Sequence, residues 1–208
     1  MVTELFSRLK RHPIIAGIKD PALIEKAFAS DIEVLFVFTG TIFDLAHLAR
    51  RAREEDKVLL AHVDRIEGIG KDAAGMRFLA EEIGIDGVVT TRTYLVKAAK
   101  QAGMLAVQQL FLVDSEALKT GMNIARASKF DALEILPAVT IPGVIHRLPP
   151  EAAGKVIAGG LVETRETVEQ LLSVGVVGIS TSKEYLWPKA PGYGNSSGYG
   201  SSSQPLSR

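Results

Sequence analysis

Two apolar runs near the end of the chain stop on residues with almost no side chain. Gly159-Gly160 closes one and Ser180-Thr181-Ser182 closes the other. Glycine lets a ligand reach main-chain N–H groups with no Cβ in the way, and the three hydroxyls add further hydrogen-bonding groups. Such a pair of ends is a cradle for an anion, a phosphate above all. The "SKEYLW" that follows is long enough for one or two helical turns, whose N-terminus would point at the same anion. The plainer use of these glycines is tight turning and close packing of strand on helix.

Other apolar runs also end in polar groups. Lys19 closes the first, and His62 and Asp64 stand two apart at the end of the third. Thr91 and Arg92 end the fourth, Gln108 lies in the fifth and Glu134 in the sixth. In a period-two pattern Gln108 shares a face with Leu110, and Glu134 with Leu136. Gathered at one rim, these groups would floor a ligand pocket; each alone is more simply a satisfied interior polar residue. Asp64 or Glu134 as general base, with Lys19 as acid, would suit an isomerase, and Lys19 as a Schiff-base amine an aldolase. Metal chemistry has less to stand on. His12, His47, His62 and His146 fall on different elements without ligand spacing, and there is no cysteine for a thiolate ligand, a disulfide or a nucleophile.

The elements that must position these residues alternate along the chain. Apolar runs rich in β-branched residues occupy 14–19, 33–40, 57–64, 86–91, 105–114, 132–137, 155–162 and 176–182. They are continuous rather than alternating, as strands covered on both faces should be. Helical patterns lie between them. Residues 41–55 put Ile42, Leu45, Leu48 and Ala49 on one stripe, and 71–84 and 164–175 behave alike, each closing on a glycine suited to a C-cap. Asp20 and Asp114 read as N-caps. Eight strands alternating with helices predict a small, single-domain (β/α)8 barrel of the TIM type, in which a phosphate commonly sits between the loops after strands 7 and 8. The competing fold is a doubly wound open sheet, for which eight strands are many and the G-x-G-x-x-G fingerprint is missing.

Composition narrows the class. Lysine plus arginine equals aspartate plus glutamate at 24 each, so no global field favours nucleic acid or membrane. The longest apolar stretches are too short to span a bilayer, and "MVTELFSRLKRHP" does not have the order of a signal peptide, which predicts a cytoplasmic protein. After Trp187 the chain turns to proline, glycine, serine and tyrosine. The barrel is therefore expected over 1–187, with 188–208 as a disordered tail. Two basic clusters stand out locally: Arg8, Lys10 and Arg11 in "SRLKRH", and Arg50, Arg51 and Arg53 in "RRAR". On their own terms both read as solvated helix faces, and the "EED" after the second offsets its charge.

The blocks "AHVDRIEGIGKDAAGMRFLAEEIGIDGVVTTR", "QQLFLVDSEAL", "EILPAV" and "IAGGLVETRETVEQLLSVGVVGISTSKEYLW" resemble, in collinear order, the glycerol uptake operon antiterminator family over about residues 14–187. The resemblance implies a non-catalytic regulator that senses glycerol 3-phosphate and binds the leader of glycerol-catabolism mRNA. It implies no cofactor beyond that ligand, and leaves a homo-oligomer open. By the same resemblance Gly159, Gly160, Thr181 and Ser182 match the phosphate grip, and His62, Asp64, Thr91 and Arg92 match the pocket rim. Two positions depart from the family: Gln109 stands where an arginine is expected, and "VLFVFTGTI" gives strand 2 a more apolar end. No RNA-binding signature is present in the residues themselves, so the RNA partner rests on the resemblance. An enzyme acting on a small phosphorylated metabolite, and a sensor that works through a protein partner, are the alternatives.

Overall fold

Every one of the eight apolar runs becomes a strand in the computed structural model, which describes residues 1–188. The strands are β1 (Ile14–Ile18), β2 (Val34–Val37), β3 (Val58–His62), β4 (Gly87–Thr90), β5 (Leu105–Phe111), β6 (Ala132–Leu136), β7 (Val156–Gly159) and β8 (Gly178–Thr181). Most are shorter than the runs that announced them, because the polar residues at their ends leave the ladder to enter loops. All neighbours pair in parallel, and β8 closes on β1 with Ile14 opposite Ile179 and Ala16 opposite Thr181. That closing pair excludes the open sheet: the fold is a (β/α)8 barrel. The expected tail lies, from residue 189 onward, outside the described residues.

Eight helices accompany the strands: α1 (Val2–Arg11), α2 (Ile24–Phe28), α3 (Ile42–Glu54), α4 (Ala73–Phe78), α5 (Thr93–Gln101), α6 (Ser115–Ala127), α7 (Ile141–Val144) and α8 (Arg165–Ser173). Local chemistry starts them where expected. Asp114 accepts from the Ala117 amide at 2.7 Å, and Thr41 with Asp44 forms a reciprocal capping box on α3. Helix α4 continues through one π-helical turn, Leu79–Ile83, which Gly84 ends at φ +73°. Among the described residues no helix is long and apolar enough to cross a membrane.

Strand parity divides the core in two. Ala16, Ile18, Leu35, Val37, Leu59, Ala61, Val88, Leu133, Ile135 and Ile179 face outward and pack under the helices. Ile15, Val34, Phe36, Val58, Leu60, Val89, Leu105, Val107 and Ile157 fill the barrel, joined by Leu5 and Leu9 of α1. Helix α1 is therefore a plug in the N-terminal mouth. Gly178 makes room for it, since a Cβ there would stand 3.2 Å from both Ile15 and Leu9.

The plug corrects the expectation for Arg8. Its side chain is 9% exposed and is bound on three sides: by Glu4 at 2.7 Å, by Glu33 at 3.4 Å, and by Asp56, through the carboxylate at 2.7 Å and also the carbonyl. A guanidinium consumed in this way is a structural tie between α1, the start of β2 and the turn before β3. It offers nothing to a nucleic acid.

Candidate functional site

With the N-terminal mouth plugged, the opposite end of the barrel is open. There the inward residues turn polar and surround a cavity of about 240 Å³, lined by Lys19, Phe38, His62, Arg65, Gln109, Phe111, Glu134 and Ser180, and by the loops Gly160–Glu163 and Thr181–Lys183. This is smaller than the ~300–1,000 Å³ of pockets for drug-sized molecules and suits a ligand of a few carbons.

The floor is a row of buried hydrogen-bonded groups. Gln109 Nε2 donates to Glu134 Oε2 at 2.7 Å, so its Oε1 faces His62 Nε2 at 3.1 Å and accepts a hydrogen bond from it. That fixes the His62 tautomer and leaves Nδ1 as a lone-pair acceptor with no partner among the described residues. Burial pushes the His62 pKa down and the Glu134 pKa up, so the floor favours its neutral forms. Neutral donors and acceptors in a row suit the hydroxyls of a small polyol.

The raised pKa of Glu134 has a stability consequence with a definite sign. Below the ordinary value of 4.5 the carboxyl is protonated folded or unfolded. As pH climbs past that value the unfolded chain gives up its proton while the folded chain still holds it, so stability falls until the folded pKa is passed. Glu134→Gln, which keeps the shape and an oxygen for Gln109, should be more stable than the parent at pH 7, by a margin that shrinks toward pH 4.5. Urea melts across that range measure it; a margin independent of pH would show that Glu134 titrates as an ordinary carboxylate.

The other side of the cavity is suited to an anion. Gly160 (φ +74°) and Leu161 (φ +58°) turn the chain sharply after β7, and Leu161, a bulky residue in the left-handed region, lies 64% exposed at the mouth. Among the described residues the amides of Gly160, Leu161 and Ser182 donate to no backbone carbonyl. Lys19 Nζ lies 5.7 Å above the Phe38 ring, and neither Lys19 nor Arg65 has a carboxylate within ion-pair distance among the described residues. Lys183 is paired with Glu163 at 3.0 Å.

Several anticipated residues lie elsewhere or do other work. Gly159 is absent from the lining. A Cβ on it would stand 2.7 Å from Glu134 Oε1, so its missing side chain accommodates the protein's own carboxyl rather than a ligand. Thr181 lines the cavity but spends its hydroxyl on the loop, donating to the Val162 carbonyl at 3.0 Å and accepting from the Lys183 amide at 3.2 Å. The expected helix in "SKEYLW" is a single 3-10 turn, Glu184–Leu186, too short to carry an appreciable dipole. Gln108 is a correction: it belongs to the outward parity of β5, and its amide donates to the carbonyls of Thr91 and Gln109 at 3.0 and 3.2 Å. Gln109 faces the cavity in its place.

Asp64, Thr91 and Arg92 form a cluster beside the cavity rather than in it. Asp64 accepts from the Thr90 hydroxyl at 2.8 Å and the Thr91 amide at 3.1 Å, and pairs with Arg92 at 3.0 Å. Of the basic residues singled out in sequence, Arg11 pairs with Glu33 at 2.5 Å, and Arg51 with Glu25 and Glu55 at 2.6 and 2.7 Å. Arg53 reaches the Gly84 carbonyl at 3.4 Å, and Lys10 and Arg50 are exposed. The two clusters lie on different helices, α1 and α3, and Arg8 is buried. Phe38, Arg65, Phe111, Leu161 and Lys183 line the cavity without having been anticipated. Phe38 and Phe111 carry a readable signal, the inward parity of their strands; the loop residues carry none.

These features define a (β/α)8 barrel with a small polar cavity at its C-terminal mouth, unpaired amides and two cations on one wall and a row of buried hydrogen-bonding groups on the floor. Residues 14–187 match the family model described as glycerol-3-phosphate responsive antiterminator. The chain belongs to that family. It is similar to a glycerol uptake operon antiterminator regulatory protein from Listeria monocytogenes, at 31% identity and a TM-score of 0.74, over 85% of this chain and 95% of that one. A glycerol uptake operon antiterminator-related protein from Thermotoga maritima is similar at 30% identity and the same TM-score, over 84% and 96% of the two chains. The Escherichia coli (strain K12) protein YgcP is 30% identical over 186 residues, 89% of this chain and 97% of its own length.

Proposed function

We propose that this protein is a cytoplasmic, non-catalytic regulator that binds glycerol 3-phosphate in the C-terminal cavity and, in response, binds the leader of glycerol-catabolism mRNA to prevent early termination. The observation that carries the reading is the family match across the whole barrel. The cavity supports it with a chemistry of two ends. The glycerol hydroxyls would meet Glu134, Gln109 and His62. The phosphate would meet the amides of Gly160 and Leu161, the Ser182 residue and the cations Lys19 and Arg65. Arg65 would thus supply the positive contact that Gln109 cannot. No cofactor is needed for this role.

Calorimetric titration tests it. The protein should bind glycerol 3-phosphate saturably, and glycerol or inorganic phosphate far more weakly. Gly160→Asp should weaken binding by about tenfold or more, because it sets a carboxylate against the phosphate at a φ that aspartate tolerates. Absence of binding by the folded parent protein would sink the assignment. A second reading has one observation in its favour: Lys19 stands near the buried Glu134 carboxyl, an acid–base arrangement that a barrel enzyme would use. Consumption of a phosphorylated metabolite, abolished in Lys19→Ala, would select it.

A further inference from the structure

We propose that the groove between α5 and the end of α6 is the binding surface for single-stranded RNA. The inference rests on reading the protein as an RNA-binding regulator, and it gives that partner a place. The groove encloses about 780 Å³ and is lined by Thr93, Tyr94, Lys97, Lys100 and Gln101 on one side and Ala127–Lys129 on the other, with no carboxylate among these residues.

Its chemistry is that of a strand-binding surface. Tyr94, Lys97 and Gln101 follow one another at helical spacing and so share one face of α5. The Tyr94 ring is 55% exposed, a platform on which a base can stack. Lys97 and Lys129 have no carboxylate within ion-pair distance among the described residues, whereas Lys100 is held by Asp131 at 2.7 and 2.8 Å. Ser128 supplies an independent sign of a missing partner. The residue is 9% exposed, and its hydroxyl finds no hydrogen bond among the described residues. A buried hydroxyl left unpaired is costly, and rotation of this short side chain toward the groove would let a phosphate or ribose oxygen accept from it. Of the basic residues that stand out in sequence, Arg11 and Arg51 are by contrast spent on Glu33, Glu25 and Glu55.

The upper end of the groove also adjoins the cavity. The Tyr94 hydroxyl is 3.0 Å from Arg92 Nη1, Arg92 is paired with Asp64, and Asp64 precedes Arg65 of the cavity lining. Ligand and RNA would therefore meet two neighbouring loops, after β3 and after β4, that the Arg92–Asp64 pair joins.

Fluorescence anisotropy of a labelled oligo-uridine strand against the full chain, over a low-salt series, tests the assignment. The parent should bind, with affinity falling steeply as salt rises. Lys97→Ala with Lys129→Ala should weaken binding about tenfold or more and flatten the slope of log K against log salt by about 1.4, two phosphates at ~0.7 each. Tyr94→Ala should weaken it by about tenfold with the slope unchanged, because stacking releases no counterions. Lys10→Ala with Arg50→Ala should bind as the parent does. All these side chains are exposed, and matching melting curves would confirm that each variant is folded. If the parent binds and the groove variants bind equally well, the groove is wrong and the RNA reading stands. Stronger binding of a duplex than of the single strand would also overturn the groove. If the parent binds no RNA even at low salt, the RNA reading falls and takes the groove with it, while the calorimetric titration separately decides ligand sensing.

Discussion

Gly159→Ala is expected to lower stability by about 2 kcal/mol, some 4–8 °C in melting temperature for a chain of this size, and to abolish ligand binding. The added methyl would stand 2.7 Å from Glu134 Oε1 and 3.3 Å from its Cδ. Glu134 is 1% exposed and anchored by Gln109, so it cannot swing aside without leaving a buried polar group unpaired. Its displacement would also break the Gln109–His62 contact, and the cavity floor would lose its order. A double-mutant cycle identifies the cause. Glu134→Ala removes the obstacle, so Gly159→Ala should cost almost nothing in that background, giving a coupling of about 2 kcal/mol. Simple additivity would instead mean that Gly159 matters for its backbone or for a ligand, and not for Glu134.

Arg8→Ala is the other large effect, expected at about 2–3 kcal/mol in chemical denaturation. The change removes a guanidinium that binds Glu4, Glu33 and Asp56 together, and leaves Glu33, 19% exposed, without its inner partner. It also frees Asp56, a non-glycine residue held at φ +52°. The discount from a fully buried pair is needed because Asp56 and Glu4 are themselves well exposed, at 89% and 51%. Arg11→Ala is the matched control: it is 53% exposed and shares the same Glu33, yet should cost at most about 1 kcal/mol. Equal losses at the two positions would reduce Arg8 to one more surface charge and remove the case for a tied plug.

The barrel was legible because β-branched runs covered on both faces cannot hide: each of the eight lies within a stretch visible in sequence. The cavity was legible only where it followed strand parity. Lys19, His62, Glu134 and Ser180 sit on inward positions, and Gly160 needs its positive φ. Gln108 and Gln109 show where parity fails. Adjacent identical residues give no internal clue to which one faces inward. The decision is made by pairing with β6, where Gln109 stands opposite Glu134 and Gln108 opposite Leu133. The role of Gly159 was hidden for a similar reason, because its constraint comes from a side chain 25 residues away. Loop residues such as Arg65 and Lys183 have no period at all. Arg8 looked like a solvated charge because nothing local announces that Leu5 and Leu9 are inserted in the mouth of a barrel.

The position of α1 also bears on how the molecule comes into being. The helix is made before any strand, yet the hole it stoppers does not exist until β8, some 170 residues later, has joined β1. During synthesis Leu5 and Leu9 must therefore wait without their final neighbours. A helix made ahead of every strand of the barrel is thus among the last to gain all its neighbours, although its Arg8 tie to Glu33 and Asp56 needs the chain only as far as β3.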